Sequence, residues 1–332
     1  MPTIVPYTYE KKEEKSVYFT SFVKGMKVLI ATQKPFAKQA VDGIVEILEG
    51  AGHTVVRLEK YTESEQLLAA VADVDALIVR SDKVTAEVMA AAPNLKIVVR
   101  AGAGYDNVDC ATAKERGIVV MNTPGQNSNA VAELALAMMI FMSRNCFTPG
   151  TGCEVKGKTL AIHAYGNVGR LVGLKGKALG MNVIAYDPFV ADNAVFENDG
   201  VERVESIEEL YRRADFLSLH IPATPQTKGS IGYQLVMSMP KGATLVNTAR
   251  KEVIDEAGLC RALAEREDLK YVSDVAPDCN DDMCQSFGKR VFSTPKKMGA
   301  ETAEANINAG LAAARQIVDY FATGCTKFQV NR

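Results

Sequence analysis

Short runs of β-branched and aliphatic residues alternate along the chain with stretches that have a helical pattern of apolar positions. Most runs are apolar on both faces, which is typical of strands in a parallel sheet covered by helices on both sides. Two series of runs predict an α/β fold with two doubly wound domains, each with its own parallel sheet. The first series is KVLIAT (27–32), TVVRL (54–58), ALIVR (76–80), KIVVR (96–100) and IVVMN (118–122). The second is TLAIHAY (159–165), NVIAYD (182–187), FLSLHI (216–221), ATLVNT (243–248), YVSDV (271–275) and RVFST (290–294).

Two further stretches predict long helices. In SNAVAELALAMMIFMSRN the helix begins near Ser128 or Asn129 as N-cap, and in TAEANINAGLAAARQIVDYFATG the caps are Thr302 and Gly324. The first helix is apolar around most of its circumference, so it must be buried on several sides. Packing within its own domain and packing against a second subunit both fit this pattern. Because closed two-fold dimers are the commonest assemblies, we expect a homodimer with this helix at its core.

The overall charge argues against two classes of partner. The 332 residues carry 38 Lys and Arg against 40 Asp and Glu, a formal net charge of −2. Neither nucleic acid nor a membrane surface is therefore expected as a partner, and an anionic substrate must be held by a few local cations. The longest apolar run, LALAMMIFM, is too short to span a bilayer. Residues 1–25 include EKKEEK, which does not fit a targeting peptide, and are expected to form a poorly ordered extension.

The cysteines indicate reduced thiols and no metal site. Seven cysteines at irregular spacing are typical of a cytoplasmic protein. The segment CNDDMC (279–284) resembles half of a metal clip, but no second Cys or His pair lies at ligand spacing, so no metal is expected. The last histidine is His220. Catalytic proton transfer by any later residue must therefore use another side chain.

The stretch TLAIHAYGNVGRLVGLKGKALGMNVIAYD has the elements of a dinucleotide site. A predicted strand leads into a glycine turn, a helix follows, and a second strand ends at an acid about 20 residues later. This is the GxGxxG pattern with Ala164 in the first glycine position. The alternative is an ordinary strand-to-helix turn that needs glycine only for tight packing. The expected cofactor contacts are Gly166, Asn167, Val168, Gly169 and Asp187.

Each part of this pattern has a physical role. Gly166 lets the backbone approach the pyrophosphate at the positive end of the following helix, and Gly169 lets that helix pack closely on the strand. Asp187 stands where an acid accepts both ribose hydroxyls and would repel a 2′-phosphate. NAD is therefore favoured over NADP as the cofactor.

Several motifs occur in the order found in one enzyme family. They are VVRAGAGYDNVD, MNTPGQNSNAVAEL, AYGNVGR, LSLHIPATPQTKGSIG, LVNTARKEVIDEAGL and SDVAP. With them, residues 26–325 resemble the D-isomer-specific 2-hydroxyacid dehydrogenases, and most closely the members that oxidise 3-phosphoglycerate. The resemblance implies a Rossmann-type NAD domain at 121–295, a flavodoxin-like substrate domain made of 26–120 and 296–332, and an active site in the cleft between them. No C-terminal regulatory domain is expected, because the chain ends soon after its last helix.

The resemblance also implies a set of functional residues. Arg250 in NTAR matches the arginine that binds the substrate carboxylate and carbonyl, and its planar fork of donors suits a 2-oxo acid. Asp274 matches the acid that orients the nicotinamide carboxamide. Two arginines end neighbouring strands, which places two cations at one sheet edge and suits a phosphorylated 2-hydroxy acid. Residues that match the nicotinamide lining are Ile221, Pro222, Thr248 and Ala249, and those that match the substrate segments are Arg80, Ser81, Arg100, Ala101 and Gly102.

Two segments depart from the family pattern. The family usually has an extra loop with a Trp before the glycine-turn strand, whereas RNCFTPGTGCEVKGKTL is short and the chain has no Trp, so contacts of that loop with a neighbouring subunit are not assumed. The family also has a catalytic His after Thr-Pro, paired with a Glu. Here Lys296 and Lys297 follow Thr-Pro, and Cys279 stands at the Glu position with Asp278 beside it.

A lysine can transfer this proton only if its pKa is lowered. An unperturbed lysine titrates near ~10.4 and must come down by roughly three units to exchange protons near neutrality. A carboxylate partner would raise the pKa, whereas Arg250 and a dry cleft lower it, so the lysine and Cys279 are consistent changes. Counting from Thr-Pro selects Lys296, which we favour because the strand end fixes the side-chain direction; counting back from GAET selects Lys297. Two solvated surface charges are the alternative.

The resemblance and the residues together lead to one expected function. It is NAD-dependent oxidation of 3-phosphoglycerate to 3-phosphohydroxypyruvate, the first step of serine biosynthesis. A glyoxylate or hydroxypyruvate reductase is the alternative within the enzyme class. An NAD-sensing interaction protein of the same fold is the alternative outside it, and the presence of Arg250 with a usable lysine argues against that class.

Overall fold

A computed structural model describes residues 25–332, and apart from Gly25 the predicted N-terminal extension lies outside the described residues. The described chain forms two sheets, one of five strands and one of seven, in which every strand pair is parallel. Helices pack on both faces of each sheet. The predicted fold class, two doubly wound α/β units, is confirmed.

The five-stranded sheet uses the first series of apolar runs. Its strands are β1 (Lys27–Thr32), β2 (Thr54–Glu59), β3 (Ala76–Val79), β4 (Ile97–Arg100) and β5 (Val119–Asn122). The helices between them are α1 (Lys38–Gly50), α2 (Ser64–Ala70), α3 (Ala86–Ala90) and α4 (Cys110–Glu115). The strand order β2-β1-β3-β4-β5 is the flavodoxin-like order that was predicted.

The seven-stranded sheet uses the second series. Its strands are β6 (Thr159–His163), β7 (Asn182–Tyr186), β8 (Glu202–Arg203), β9 (Phe216–Leu219), β10 (Thr244–Asn247), β11 (Lys270–Ser273) and β12 (Val291–Ser293). The helices that accompany them are α5 (Ser128–Ser143), α6 (Asn167–Ala178), α7 (Ala194–Asp199), α8 (Ile207–Arg212), α9 (Tyr233–Ser238), α10 (Glu256–Glu265) and α11 (Asn280–Phe287). The order β12-β11-β10-β9-β6-β7-β8 is Rossmann-type, with the direction of winding reversing between β6 and β9.

The last helix, α12 (Ala303–Thr323), returns to the five-stranded sheet and packs against α1, β3 and β4. Both predicted caps are present, because the hydroxyl of Thr302 accepts a hydrogen bond from the backbone nitrogen of Ala305 at 3.1 Å and Gly324 has a φ of 71°. Beyond the helix, the side chain of Asn331 bonds to the backbone of Val120. Residues after α12 thus complete the five-stranded unit. The predicted boundary between the two domains, at residue 120, falls inside β5.

The apolar circumference of α5 is buried largely within the chain itself. The helix packs against α6, β10 and β11, and nine of its sixteen residues are buried. Its N-cap is Asn127, one residue before the two predicted candidates, and no side chain caps this end. Packing inside the unit therefore explains most of the pattern, while the expected dimer core stays a prediction.

Each sheet buries a core on both faces because successive strand residues point to opposite sides. In β1, Leu29 belongs to one core cluster, while Val28 and Ile30 belong to the cluster on the other face. Across residues 25–332, no helix combines the length and apolar character needed to cross a bilayer. In the same part of the chain, no three His, Cys, Asp or Glu side chains lie close enough together to hold a metal ion.

Candidate active site

The expected site residues lie where strands end. Arg80 follows β3 and Arg100 ends β4 in the five-stranded sheet, while Asp187, Thr248 and Asp274 follow β7, β10 and β11 in the seven-stranded sheet. Because the strands of each sheet are parallel, their carboxyl ends share one edge, where ligands of open α/β sheets bind. The two edges supply the walls of one candidate cleft.

The glycine turn joins β6 to α6 under tight constraints. A Cβ on Gly169 would lie 2.1 Å from the carbonyl oxygen of Ala164, so only glycine allows the helix to pack this closely on the strand. Ala164 itself has a φ of 79°, a conformation that costs a non-glycine residue about 1–3 kcal/mol. A Cβ on Gly166, in contrast, would meet no protein atom within 4 Å. The open side of the turn is therefore at Gly166.

The acid after β7 holds the turn in place. One carboxylate oxygen of Asp187 accepts a hydrogen bond from the backbone nitrogen of Tyr165 at 2.8 Å, and the other accepts one from that of Phe189 at 2.9 Å. The side chain is buried, with 7% exposed. Asp187 therefore has a structural role beside the predicted contact with ribose.

The residues after β9 and β10 line the same edge. The hydroxyl oxygen of Thr248 is buried and has no hydrogen-bond partner in the described part of the chain. A buried hydroxyl without a partner costs free energy, so a polar group of a ligand would suit this atom. Ala249 is fixed by a bond from its backbone nitrogen to Asn247 Oδ1 at 3.0 Å. Ile221 is buried and Pro222 is exposed at the end of β9.

Asp274 organises the segment that carries the two lysines. Its side chain is fully buried, and it accepts hydrogen bonds from the hydroxyl of Thr294 and from the backbone nitrogens of Met298 and Gly299 at 2.9, 2.8 and 2.7 Å. These three donors lie on both sides of Lys296 and Lys297. The orientation of the lysines is therefore set from the end of β11.

Of the two lysines, Lys297 lies among the cations of the cleft. The pKa of Lys297 is lowered, first by desolvation and then by the charge of Arg250, with a smaller contribution from Arg100. Asp274 and Glu252 oppose the shift. Lys297 is exposed to solvent, so its desolvation is incomplete.

The charges of Arg250 and Arg100, which lower the pKa of Lys297, favour this residue over Lys296, the residue preferred from the sequence. The backbone oxygen of Lys296 accepts a hydrogen bond from the hydroxyl of Thr294 at 2.9 Å, and both lysines are exposed, so exposure does not separate them. The surroundings of the two side chains thus support the alignment counted back from GAET, which selects Lys297. They give less support to the alignment counted from Thr-Pro, which selects Lys296.

Cys279, which stands at the position of the family's Glu, carries no negative charge. Burial, followed by a hydrogen bond with Glu256, raises the pKa of the Cys279 thiol to about 12, so the thiol stays neutral. Its sulfur lies 3.7 Å from that of Cys260. The neighbouring Asp278 forms an ion pair with Lys251. Neither side chain is available as a carboxylate partner for the lysine.

The two strand-end arginines lie side by side. The Nε of Arg100 donates to the backbone oxygen of Arg80 at 2.9 Å, and the Arg100 guanidinium occupies the space beside Gly102, where a Cβ would lie 1.6 Å from Nη1. Burial and the charge of Arg80 lower the pKa of Arg100, while Asp106 raises it. Ala101 is buried and Ser81 is exposed next to them. Two adjacent cations are thus held at one edge.

The sequence gives no local signal for the residues that hold Arg80. Its guanidinium donates to the backbone oxygens of Lys34 and Pro35 at 3.3 and 3.1 Å, and to the side chain of Asn306 in α12. It also lies over the ring of Phe36, 5.3 Å from the centroid. Several donors of Arg80 are therefore occupied, whereas Arg100 donates through Nε and its terminal nitrogens have no hydrogen-bond partner among residues 25–332. Arg100 is the better candidate for contact with an anion.

Comparison with protein families identifies the arrangement. The model of the D-isomer specific 2-hydroxyacid dehydrogenase catalytic domain matches residues 30–331. The chain belongs to this family. The resemblance inferred from the motifs is therefore confirmed.

Three relatives illustrate the range of similarity. D-3-phosphoglycerate dehydrogenase of Methanocaldococcus jannaschii is 39% identical over 289 residues, which cover 82% of this chain and 54% of that protein. Hydroxypyruvate reductase of Thermotoga maritima is 35% identical over 276 residues, covering 78% and 88%. The crystal structure of NAD+-bound 3-phosphoglycerate dehydrogenase from Entamoeba histolytica is 50% identical, with a TM-score of 0.81 and coverage of 93% and 99%. The chain spans about half the length of the curated D-3-phosphoglycerate dehydrogenases that it matches.

Proposed function

We propose that the chain is an NAD-dependent dehydrogenase that oxidises 3-phosphoglycerate to 3-phosphohydroxypyruvate. The observation that carries the proposal is that Lys297 lies near enough to Arg250 and Arg100 for their charges to lower its pKa. The similarity to the 3-phosphoglycerate dehydrogenases of M. jannaschii and E. histolytica supports the same substrate.

The residues at the edge of the seven-stranded sheet fit NAD. Gly166 leaves open space in front of α6, whose N-terminus has no side-chain cap and no acid in its first turn. Backbone N–H groups in this position suit a pyrophosphate. Asp187 suits ribose hydroxyls, and the unpartnered hydroxyl of Thr248 suits a polar group of the cofactor. Asn167, Val168, Ile221, Pro222 and Ala249 would line the rest of the site, and Asp274 would use its remaining lone pair for the carboxamide.

Different cations would bind the two charged ends of the substrate. Arg250 would hold the carboxylate and the C2 oxygen, because its fork of donors matches both. Arg100, next to Arg80, would hold the phosphate, with the backbone of Ser81, Ala101 and Gly102 alongside. With charged groups at both ends, a three-carbon substrate has one orientation in the cleft.

Lys297 is proposed as the acid and base. In the oxidation it takes the proton of the C2 hydroxyl while NAD accepts the hydride from C2. In the reduction Lys297 returns the proton to the carbonyl oxygen, and Arg250 stabilises the negative charge that develops there. A lowered pKa suits both directions, because the neutral and charged forms of the amine then lie close in free energy.

The organisation of the chain is part of the same proposal. We assign 26–122 and 296–332 to the substrate domain and 123–295 to the NAD domain, with the first boundary moved from residue 120 to the end of β5. A homodimer in the cytoplasm is the expected setting, in line with seven free thiols and no helix among residues 25–332 that could cross a bilayer.

The test is a substrate panel in the direction of reduction, followed by NADH absorbance. We expect kcat/KM to be highest for 3-phosphohydroxypyruvate, lower for hydroxypyruvate and lower again for glyoxylate. Arg100→Gln should reduce kcat/KM for the phosphorylated substrate by about 10- to 100-fold, the value of one charge-assisted contact, and change hydroxypyruvate little. Arg116→Gln, an exposed arginine after α4, is the matched control.

Either of two results would contradict the proposal and favour an alternative function. Equal or better turnover of hydroxypyruvate, with no separate effect of Arg100→Gln, would favour the reductase named for the T. maritima relative. Binding of NADH without turnover of any 2-oxo acid would favour the NAD-sensing protein.

A further inference from the structure

A second cationic pocket lies at the edge of the seven-stranded sheet opposite to the candidate active site. The cavity has a volume of about 230 Å³, and three lysines line it: Lys158, Lys241 and Lys270. Lys158 directly precedes β6, Lys241 lies in the turn before β10, and Lys270 begins β11. Because these strands are parallel, their amino ends meet at one edge, which brings three residues distant in sequence together.

The register of the sheet fixes this convergence. Thr244 is paired with both Phe216 and Lys270, and Phe216 is paired with Leu160, so the starts of β6, β9, β10 and β11 lie level. The hydroxyl-bearing residues Ser143 and Thr244 are buried in the lining. The pocket is therefore built on the aligned amino ends of four paired strands.

The lysines of this pocket have no carboxylate partner. Lys27, Lys96 and Lys175 form ion pairs with carboxylates, whereas Lys38 and Lys60 are exposed lysines without one. Within residues 25–332, no side chain forms an ion pair or a hydrogen bond with the ammonium groups of Lys158, Lys241 and Lys270, and these three differ from other unpaired lysines because they line one cavity. Three like charges around one cavity repel each other unless an anion lies between them.

The carboxylates nearby do not neutralise this charge. Asp215 lines the pocket, but one of its oxygens accepts a hydrogen bond from the backbone nitrogen of Thr159 at 2.8 Å. Asp268, which accepts from the backbone of Gly242 at 2.7 Å, is paired with Arg266. Three lysines against one lining aspartate leave the pocket with a net charge of +2.

We propose that this pocket is a binding site for a small polyanion with two or three negative charges, such as inorganic diphosphate or the phosphates of a nucleotide. The cavity is smaller than the ~300–1,000 Å³ typical of drug-sized ligands, which favours a compact anion. Strands of four or five residues separate it from the candidate active site by about 15 Å, at ~3.3 Å per residue. The site is independent of the proposed dehydrogenase reaction.

The test uses the full chain saturated with NADH, so that the glycine turn is occupied, and inorganic diphosphate as the probe. Isothermal titration should show binding to the wild type, and the triple variant Lys158→Gln/Lys241→Gln/Lys270→Gln should lose at least tenfold in affinity. The matched control Lys38→Gln/Lys60→Gln/Lys327→Gln removes the same net charge from exposed positions elsewhere and should keep the affinity. The triple pocket variant should keep its kcat with the preferred 2-oxo acid, because the pocket lies at the opposite edge.

A second arm separates this pocket from the arginines of the cleft. Arg80→Gln/Arg100→Gln should retain diphosphate binding if the lysine pocket is the site. Loss of binding in the arginine variant with full binding in the lysine variant would overturn the proposal and place the anion in the candidate active site. No heat of binding to the wild type at millimolar diphosphate, or an equal loss in the matched control, would also overturn it.

Discussion

Asp278 forms an ion pair with Lys251, and neither of these charges is among those that shift the pKa of Lys297. Asp278 is the carboxylate nearest in sequence to Cys279, the position at which the resemblance implies a Glu. Asp278 is paired with Lys251, and the Cys279 thiol is neutral. Neither residue therefore raises the pKa of Lys297. Asp274 and Glu252 oppose the shift, but the pKa of Lys297 is lowered on balance, as a lysine acid and base requires.

The first prediction separates Lys297 from Lys296. Lys297→Ala should reduce the rate of hydride transfer by about 10²–10⁴, the usual contribution of a positioned proton donor. The measurement is single-turnover oxidation of bound NADH, with NADH affinity from fluorescence titration expected to stay within twofold.

The adjacent Lys296→Ala is the matched control and should retain most of the rate. A large loss in Lys296→Ala with an active Lys297→Ala would return the role to Lys296. Full activity in both variants and in the double variant would show that both lysines are solvated surface charges.

The second prediction concerns the pH dependence of the oxidation. Because the neutral amine is the base, the rate should rise with pH along a limb whose midpoint lies below 10.5, the ordinary value for lysine. Arg250→Gln removes a positive charge that disfavours the protonated amine, so the midpoint should move to higher pH although the rate falls. Lys251→Gln, which changes a cation already paired with Asp278, should leave the midpoint in place. An unchanged midpoint in Arg250→Gln would exclude Lys297 as the titrating group.

The third prediction restores the family's pair of residues. Lys297→His alone should be poorly active, because without a carboxylate the imidazole has too low a pKa to remain a proton donor. Adding Cys279→Glu should raise the activity above that of either single variant, a positive coupling in a double-mutant cycle. Cys279→Gln is the uncharged control and should not rescue. Rescue by Gln equal to that by Glu would mean that packing, not charge, limits the histidine variant.

The sequence predicts most of the fold because its signal is local. Each of the eleven β-branched runs contains a strand, and the caps at Thr302 and Gly324 are found as expected. The strand that was missed, β8 (Glu202–Arg203), has two charged residues and no apolar run, and it forms only by pairing with β7. Local pattern cannot reveal a strand that exists through its neighbour alone.

The site was harder to predict because its geometry depends on contacts between distant residues. The predicted carboxyl ends of the parallel strands are enough to place Arg250 and Asp274 near the edge of the sheet that faces the cleft. The preference for Lys297 over Lys296, however, rests on Arg250 and Arg100, which are distant from Lys297 in sequence and lower its pKa. The engagement of Arg80 by Asn306 spans 226 residues. No motif or periodicity in the sequence encodes either contact.

The fourth prediction tests the acid after β7. Asp187→Asn keeps one oxygen for the backbone nitrogen of Tyr165 but removes the charge that would repel a 2′-phosphate. The ratio of kcat/KM for NADH over NADPH should therefore fall by about tenfold or more, because a like-charge contact is relieved. A melting temperature close to that of the wild type would show that the turn is intact. If the cofactor ratio is unchanged in a folded variant, Asp187 is a structural residue of the glycine turn only.

The last prediction concerns stability at low pH and a histidine beneath the glycine turn. His163 at the end of β6 is buried beside Tyr211, 3.4 Å from its hydroxyl, and burial lowers the pKa of His163 to about 4. The unfolded chain takes up the proton near pH 6.5 and the folded chain does not, so the free energy of unfolding should fall as the pH drops from 6.5 toward 4. This one residue contributes about 1.4 kcal/mol per pH unit in that window. Urea unfolding at pH 6.5, 5.5 and 5.0 should show the decline, and His163→Gln should reduce its slope by that amount. Equal slopes in the two proteins would mean that His163 is protonated in the folded state.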